Sequence, residues 1–414
     1  MASLVRIPIQ RNPHYKRSGL KSYVYLLNKY SITPTVQGPY SAAKGKSLLV
    51  KQNADGTQGE VTATDQQNDS LYTCPVKIGT PAQTLNLDFD SGSSDLWCWS
   101  TGLPESTQSA GKGHTIFDSK KSSTFKTSQG STWQIQYGDQ SSASGNVGTD
   151  NIQIGNITVQ NQAIELATKL SSQFTQDASS DGLLGLAFGS INTVKPTAVK
   201  TPVENMIAQD DIPQDAELFT AYLGSIKNAN EESFYTFGQI DQSVVPSGSN
   251  IAYTPVDNSQ GFWMFDSTSA EVNGKTIQLS GNTAIADTGT TLLLTSDEVC
   301  QAVYAAIPGA KQDSSQQGWV FPASTAESDL PTVTFMVGNT PITIEKQHLG
   351  FAGGSDGNTV FGGIQSRGSL TFDIFGDTFL QNVYAVFDVG NTRFGVVQRA
   401  PPTSTTGSQV KSEL

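Results

Sequence analysis

The chain has 414 residues, with 25 lysine and arginine residues against 37 aspartate and glutamate residues, and a formal net charge of −12 at pH 7. This length predicts two or three units, and no apolar run reaches the roughly 20 residues that a membrane-spanning helix needs. The acidic balance argues against nucleic acid as a partner.

The first 59 residues differ in charge from the rest of the chain. They contain nine basic residues and one acid, Asp55, which leaves 16 basic and 36 acidic residues in the remainder. A basic leader before an acidic body predicts electrostatic attraction within the chain, although charge alone leaves open a disordered tail that binds polyanions. Residues 22–30 form a helix-like stretch, and the Gly-, Ser- and Pro-rich run that follows to Gly59 is typical of a linker.

From about residue 60 the sequence changes to short β segments separated by turns. Residues 85–89, 133–137 and 152–154 alternate apolar and polar side chains, as half-buried strands do. In the second half, Asn273-Gly274 lies between two such runs and predicts a tight hairpin. Helices are few, and Thr295 with Glu298 predicts a capping box before one of them. The body is therefore predicted to be all-β, with a few short helices.

An internal repeat divides this body into two related halves. One apolar strand ends in Asp-Ser-Gly-Ser-Ser at residues 90–94, and another ends in Asp-Thr-Gly-Thr-Thr at residues 287–291. A Leu-Leu-Gly segment ends 95 residues after the first Asp, and an Ile-Phe-Gly segment ends 89 residues after the second. The predicted units are a basic prosegment and linker at 1–59, lobes at 60–238 and 239–400, and a disordered Ser/Thr-rich tail at 401–414.

The duplicated residues Asp90 and Asp287 predict a shared acid–base site. A single Asp-Ser/Thr-Gly motif is common in turns, but two lobes related by a twofold axis bring the two loops together. Two carboxylates about 3 Å apart cannot both ionise readily, so the pair holds one proton and provides both a general base and a general acid. Such a pair can activate a water molecule for attack on a carbonyl group.

Residues next to each Asp are predicted to support the pair. The glycines allow a sharp turn and donate amide hydrogens to the carboxylates, while the hydroxyl groups bond the outer carboxylate oxygens and cross-link the loops. These supporting residues are Ser91, Gly92 and Ser93 in the first loop and Thr288, Gly289 and Thr290 in the second.

Metal and cofactor chemistry is not expected. The chain has three histidines and three cysteines, none of them at metal-ligand spacing. Cys74, Cys98 and Cys300 allow at most one disulfide and are expected to be buried structural residues.

Residues 89–97 and 285–291 resemble the paired active-site signatures of pepsin-like aspartic proteases. Residues 137–141 resemble that family's flap, and residues 181–186 and 375–380 resemble the floors of its two lobes. The resemblance covers residues from about 65 to 400. It is strongest for secreted fungal members of the penicillopepsin and aspergillopepsin type. It implies a bilobal fold with pseudo-twofold lobes and an aspartic endopeptidase that is made as a zymogen and acts at acid pH.

The resemblance also implies roles for individual residues. Asp90 and Asp287 are then catalytic, Tyr137 is the flap tyrosine, and Trp97 is its hydrogen-bonding partner. The substrate is expected to carry bulky apolar side chains on both sides of the cleaved bond. The acid at Asp139 suggests that lysine is tolerated before that bond. The residues expected on the flap and in the substrate-binding cleft are Tyr137, Gly138, Asp139, Trp97, Phe174, Leu183 and Thr291.

Two features depart from the family pattern. Ser91 stands where threonine is usual, which keeps the hydroxyl group and loses a methyl group. The cysteine pair found in the C-terminal lobe of most fungal members is missing, with Ala323 and Val360 at the matching places. We expect modest loosening of the first loop and retained activity.

The basic leader is similar to family prosegments. It is expected to act as an intramolecular inhibitor, with Lys44, Lys46 or Lys51 opposing the Asp pair, and to be cut near residues 50–60 after acidification. The expected protein is a monomer that acts on polypeptides, without nucleic acid or membrane partners. Secretion is expected by resemblance, with the vacuole as the alternative, although no secretory signal precedes the leader in this sequence.

Two other functions use the same features. A catalytically silent, protease-like binding protein would typically lose one Asp or the flap tyrosine, and all three are kept here. A glycoside hydrolase also uses two carboxyl groups, but it needs them in unlike environments, whereas these loops are near copies. The endopeptidase is therefore the preferred hypothesis.

Overall fold

The computed structural model describes residues 4–11, 15, 17–42, 49–52, 58–60, 72–136, 142–171, 174–175, 180–225 and 231–400. Strands dominate and the helices are short, which confirms the predicted fold class. Within the described ranges, none of the helices has the length and apolarity to cross a bilayer.

The described residues of the leader form strands and one helix. Helix α1 (Gly19–Lys29) begins three residues before the predicted stretch. The predicted linker is more ordered than expected, because it contains a three-stranded antiparallel sheet. The leader strands are β1 (Ile7–Pro8), β2 (Gln10–Arg11), β3 (Tyr40–Ala42), β4 (Leu49–Gln52) and β5 (Gln58–Glu60).

Helix α1 packs on the second half of the body. All of its residues from Ser22 to Asn28 are buried, and the apolar side chains among them join a cluster that includes Phe351 and Phe372. The helix approaches so closely that a Cβ atom on Gly19 would lie 2.1 Å from the ring of Phe361. The Tyr23 hydroxyl donates to the Ser366 carbonyl at 2.9 Å.

The first half is built on an eight-stranded sheet in the order β2-β6-β7-β12-β8-β11-β10-β9. Its body strands are β6 (Tyr72–Ile78), β7 (Gln83–Asp90), β8 (Leu96–Cys98), β9 (Lys126–Gln136), β10 (Ser142–Ile154), β11 (Ile157–Leu170) and β12 (Gly182–Gly185). Its helices are α2 (Glu105–Ala110) and α3 (Pro202–Ala208), with 3₁₀ turns at Ser119–Lys121 and Gly189–Ile191.

A six-stranded sheet joins leader, first half and second half in the order β1-β14-β13-β29-β30-β15. Its core contains Phe219 stacked on Phe387 with ring centroids 4.5 Å apart, and Trp263 edge-on to Phe387. The Tyr235 hydroxyl reaches the Phe89 carbonyl at 3.3 Å, which ties this sheet to the strand before Asp90. The new strands are β13 (Leu218–Tyr222), β14 (Phe234–Phe237), β15 (Ala252–Pro255), β29 (Val383–Asp388) and β30 (Arg393–Gln398).

The second half contains three smaller sheets. The five-stranded sheet holds β16 (Met264–Asp266), β19 (Thr283–Ala286), β28 (Asp373–Phe375), β20 (Leu293–Thr295) and β27 (Ile364–Ser366). One four-stranded sheet holds β18 (Lys275–Gln278), β17 (Ser269–Val272), β23 (Val333–Val337) and β24 (Thr340–Ile344). The other holds β21 (Lys311–Asp313), β22 (Gly318–Pro322), β26 (Thr359–Gly362) and β25 (Gly350–Gly353). The helices are α4 (Asp297–Ala305) and α5 (Asp377–Leu380), with 3₁₀ turns at Gln242–Val244, Glu327–Asp329 and Lys346–Leu349.

The predicted repeat is visible as matched strand pairing. In the first half, β7 pairs parallel with β12, β12 antiparallel with β8, and β8 parallel with β11. In the second half, β19 pairs parallel with β28, β28 antiparallel with β20, and β20 parallel with β27. The same order of pairings places the end of β7 and the end of β19 in equivalent positions.

Two local predictions have different outcomes. The hairpin at Asn273-Gly274 is confirmed between β17 and β18, with positive φ at both residues. The capping box at Thr295 is wrong, because Thr295 ends β20 and Ser296 caps α4 by accepting from the Val299 amide. The three cysteines are buried free thiols.

Candidate active site

Asp90 and Asp287 lie close together, each at the end of an equivalent strand. Both are buried, at 2% and 0% exposure. The Gly92 amide donates to Asp90 Oδ1 at 2.8 Å, and the Gly289 amide donates to Asp287 Oδ1 at 2.9 Å. The two carboxyl groups therefore receive the same backbone donor from their own loops.

The two glycines are needed for space. A Cβ atom on Gly92 would lie 2.6 Å from Asp287 Oδ1, and one on Gly289 would lie 2.3 Å from Asp90 Oδ1. Neither glycine has a positive φ, so the predicted sharp turn is not the reason for them. Each loop lacks a side chain where the opposite carboxyl group approaches.

Hydroxyl groups cross-link the loops reciprocally. The Ser91 amide donates to Thr288 Oγ1 at 3.0 Å, and the Thr288 amide donates to Ser91 Oγ at 2.9 Å. Ser91 Oγ then donates to the Ala286 carbonyl at 2.9 Å, and Thr288 Oγ1 donates to the Phe89 carbonyl at 2.6 Å. Serine at position 91 thus makes the same bonds as the threonine opposite it.

The outer carboxylate oxygens also have matched donors. Ser93 Oγ donates to Asp90 Oδ2 at 2.7 Å, and Thr290 Oγ1 donates to Asp287 Oδ2. These bonds hold the planes of the two carboxyl groups, because each group is then held at both of its oxygens.

The apolar segments of the repeat lie beside the loops. Gly185 of β12 is in register with Asp90, and the Leu186 amide donates to the Asp90 carbonyl at 2.8 Å. In the second half, the Asp287 amide donates to the Phe375 carbonyl of β28 at 3.1 Å. The buried Thr291 accepts at its carbonyl from both the amide and the hydroxyl of Thr378, at 3.0 Å each.

The leader places Lys29 and Tyr30 on the two carboxyl groups. Lys29 Nζ lies 3.2 Å from both oxygens of Asp90 and 3.1 Å from Asp287 Oδ2. The Tyr30 hydroxyl donates to Asp287 Oδ2 at 2.5 Å. The end of helix α1 thus delivers one cation and one hydroxyl donor to the pair.

A leader lysine opposes the pair as expected, but it is Lys29 and not the candidate Lys51. Lys51 lies with its ammonium group 6.0 Å from the centre of the Tyr40 ring, and Lys44 and Lys46 lie outside the described residues. Lys29 lies earlier in the leader than the three lysines expected at the pair. The available signal was a basic residue in the last turn of helix α1, followed by a tyrosine.

The two carboxyl groups differ in pKa although their loops match. Burial raises the pKa of Asp90 to about 6, because the charge of Lys29 offsets burial only in part. Asp287 is buried as well, but the Lys29 charge and several hydrogen bonds to its carboxylate outweigh burial and lower its pKa to about 2. Between these values the pair carries one proton and one negative charge.

The predicted pocket residues form one apolar group beside the Asp90 loop. Trp97 stacks on Trp133 at 5.9 Å and meets the Phe174 ring edge-on at 5.4 Å. Leu183 is the strand neighbour of Trp97 and belongs to the same buried cluster. Trp97 Nε1 is buried and has no hydrogen-bond partner among the described residues. Its expected partner Tyr137, with Gly138 and Asp139, lies outside the described residues.

This arrangement can perform acid–base chemistry on a bound molecule once Lys29 is withdrawn. One carboxyl group can accept a proton while its neighbour donates one, and the surrounding amides and hydroxyls keep both groups in place. No group of three or more His, Cys, Asp or Glu side chains in the described part of the chain is suited to hold a metal ion.

Comparison with known proteins gives a consistent result. A family model described as eukaryotic aspartyl protease matches residues 71–399. Endothiapepsin of Cryphonectria parasitica is 43% identical over 384 residues, which is 92% of this chain and 87% of that protein. Penicillopepsin-1 of Penicillium janthinellum is 43% identical over 345 residues, which is 83% of this chain and 99% of that protein.

A solved structure shows the same architecture. The crystal structure of an aspartic proteinase from Irpex lacteus superposes with a TM-score of 0.66 at 25% sequence identity. The match covers 81% of this chain and 96% of the other chain.

Replacing Lys29 with methionine should raise the pKa of Asp287, because the substitution removes the cation that offsets its burial. We expect an increase of at least about one unit. The measurement is a pH titration of ¹³C-carboxyl-labelled aspartate by NMR in the full chain, with mass spectrometry at each pH to show that the leader is still attached. Lys51→Met is the matched control, since Lys51 belongs to the same leader and lies on Tyr40; an unchanged Asp287 titration in Lys29→Met would contradict the assignment.

Proposed function

The chain belongs to the eukaryotic aspartyl protease family and is an aspartic-type endopeptidase, and from this premise we propose that Asp90 and Asp287 are its catalytic pair. The observation that carries the proposal is the face-to-face burial of these two carboxyl groups on equivalent, cross-linked loops. Each carboxyl group has one amide donor and one hydroxyl donor, so neither needs a metal ion to hold its position.

The reaction is peptide-bond hydrolysis by a water molecule bound between the pair. One carboxylate takes a proton from the water as it attacks the scissile carbonyl carbon, and the protonated carboxyl group donates to the carbonyl oxygen. The tetrahedral intermediate then breaks its carbon–nitrogen bond as the nitrogen receives a proton. Because the two groups titrate as one unit, the proton needed for the second step is the one gained in the first.

The substrates are extended polypeptides with bulky apolar side chains around the cut. Support comes from the apolar group that Trp97, Phe174 and Leu183 form beside Asp90. The flap, with Tyr137 at its tip and Asp139 favouring lysine before the cut, is part of the proposal. Closing such a hairpin would exclude water and order the substrate.

The leader is an intramolecular inhibitor, so the full chain is a zymogen. Lys29 and Tyr30 occupy the place where a water molecule and a scissile carbonyl group must bind. A second attachment lies far along the chain, where Arg6 pairs with Asp241 at 2.7 Å and with Glu232 at 2.5 Å. The leader is thus held near its start and at its middle by cations on carboxylates.

Acid weakens this attachment in steps. Asp90 has its pKa raised to about 6, so it gains a proton as the pH falls through that value, and Lys29 then faces one negative charge instead of two. Asp287 and Asp241 have lowered pKa values, so their attraction for the leader is retained until the pH falls further, to about 2 for Asp287. The first step makes transient opening more frequent, and self-cleavage near residues 50–60 makes it irreversible.

The mature protein is a secreted monomer in this account, with lobes at 60–238 and 239–400 on either side of the cleft. Secretion is supported by the likeness to endothiapepsin and penicillopepsin-1. The Ser/Thr-rich tail at 401–414 lies outside the described residues.

A peptide-cleavage assay tests the proposed function. After brief exposure to about pH 3–4, the chain should hydrolyse a peptide that carries bulky apolar residues around one bond, and pepstatin should abolish the cleavage. The untreated chain at pH 7 is the control and should be inactive. A chain that binds the peptide without cutting it would instead be a silent, protease-like binding protein.

The Lys29→Met variant should release its leader at a higher pH than the wild type, because it lacks the cation that holds the leader on the carboxyl pair. We expect the onset of self-cleavage to move up by about one pH unit, as Coulomb attraction between buried charges is lost. Mass spectrometry of the mature N-terminus over a pH series measures this onset. Lys51→Met should behave like the wild type, and equal onsets for all three chains would contradict the inhibitory role of Lys29.

A further inference from the structure

A second pair of buried carboxyl groups, Asp95 and Glu165, lies behind the loop that carries Asp90. Asp95 is 2% exposed and Glu165 is 1% exposed. Asp95 immediately precedes β8, and Glu165 lies on β11 in register with Trp97 of β8. None of the ion pairs among the described residues involves either carboxyl group.

The amide of Asn192 shows that the two groups are neighbours. Its Oδ1 accepts from the amides of Val194 and Val199 at 3.1 and 3.0 Å, which fixes the orientation of the side chain. Its Nδ2 therefore faces the carboxyl groups, 3.2 Å from Asp95 Oδ1 and 2.9 Å from Glu165 Oε1. Both oxygens lie against one nitrogen atom, so the carboxyl groups are adjacent.

The donors around the pair are unequal. Asp95 Oδ1 also accepts from the amide and the hydroxyl of Thr193, at 2.9 and 2.8 Å. Glu165 Oε2 is buried and has no hydrogen-bond partner within the described residues. Donors stabilise a carboxylate, whereas a carboxylic acid needs an acceptor for its own hydrogen. This geometry puts the negative charge on Asp95 and a proton on Glu165.

The pair is connected directly to the catalytic loop. The Gly185 amide of β12 donates to the Asp95 carbonyl at 2.9 Å, and Asn192 Nδ2 donates to the Ser94 carbonyl at 3.1 Å. Ser94 Oγ in turn donates to the Phe188 carbonyl at 2.6 Å. Repulsion between two ionised groups at this place would act on the segment that follows Asp90.

We propose that Asp95 and Glu165 share one proton and act as a positioning pair for the Asp90 loop, so that loss of this proton towards neutral pH loosens the first half of the protein. Glu165 and Asp95 do not touch the reacting atoms. They act through the Asp90 loop, which stays ordered only at a pH at which the pair holds its proton.

Charged groups on the neighbouring elements do not compensate the pair. Lys195, on the segment after Asn192, is exposed, and Glu204 of α3 accepts from the backbone of Gly189 and Thr201. Asp181, before β12, accepts from the backbone of Asn86 and Thr115. Cys98 of β8 is a buried thiol whose pKa is raised by burial and by nearby carboxylates, so it stays neutral.

The pH dependence follows from the proton on Glu165. Burial and the adjacent Asp95 raise the pKa of Glu165 well above its ordinary value, and burial also raises the pKa of Asp95. The stability that the proton provides is complete below the unfolded carboxyl pKa of about 4.3 and is lost as the pH rises through the folded pKa of Glu165. In that window the ratio of folded to unfolded chain falls by up to about tenfold for each pH unit.

The test compares thermal unfolding of the full chain between pH 5 and pH 9, followed by tryptophan fluorescence. Glu165→Gln should remain folded with a flatter dependence on pH, because its amide can donate to Asp95 without titrating. Its midpoint temperature should therefore match or fall below that of the wild type at pH 5 and exceed it at pH 8. Glu105→Gln is the control, since Glu105 is exposed on α2 of the same half, and it should follow the wild type.

Asp95→Asn provides an independent variant and should flatten the curve in the same way, because an amide at position 95 can donate to an ionised Glu165. Parallel curves for the wild type and for whichever of these variants folds would overturn the proposal. The unfolding measurement does not depend on the proposed function. A second measurement, of peptide hydrolysis after acid activation, does assume it. In that measurement Glu165→Gln should keep its activity at pH 7.5 about tenfold longer than the wild type. If the midpoint temperatures change with pH as expected but the half-life of the activity is the same in Glu165→Gln and the wild type, the positioning role is refuted and the shared proton is supported.

Discussion

The structure depends on two carboxyl groups of like charge being held together in a buried place. Isolated in the interior, such groups would repel each other and lose their hydration, so the surrounding chain must supply donors that point at both of them. Asp90 and Asp287 each receive one backbone amide and one hydroxyl from their own loop. The glycines leave room for this approach, and the reciprocal bonds of Ser91 and Thr288 keep the loops from separating.

The rest of the fold serves that contact. Matched strand pairings bring the ends of β7 and β19 to equivalent positions, and the six-stranded sheet ties the two halves together beneath them. The leader is attached to both of these features. Its strand β1 joins the six-stranded sheet, and its helix α1 ends with Lys29 on the carboxyl pair. Lys29 and Tyr30 of the leader thus give both carboxyl groups partners.

The sequence predicts much of this arrangement, because a duplicated motif carries its own geometric information. Two near-identical loops at the ends of apolar strands imply a twofold relation, and the roles of Ser93 and Thr290 follow from it. Local signals also served well at Asn273-Gly274, where both residues must adopt positive φ. Motif and turn chemistry are properties of a few adjacent residues, so one sequence is enough to detect them.

Other features depend on register between distant segments. Lys29 reaches the pair because α1 packs in one orientation on the second half. Its place in the last turn of a helix can be read from the sequence, but this packing cannot. Glu165 meets Asp95 only because β11 and β8 pair in one register, across 70 residues of chain. The reason for Gly92 was also hidden, since the atom that excludes a side chain there belongs to Asp287.

The most direct test of the central claim is peptide hydrolysis by Asp90→Asn and Asp287→Asn, each freed of its leader by a trace of activated wild-type protein and then repurified. We expect each variant to lose at least about a thousandfold in kcat, because asparagine can neither hold the shared proton nor accept one from water. Thermal unfolding of each variant checks that the fold is kept. Retention of wild-type hydrolysis by either variant would contradict the claim that the two carboxyl groups work as one unit.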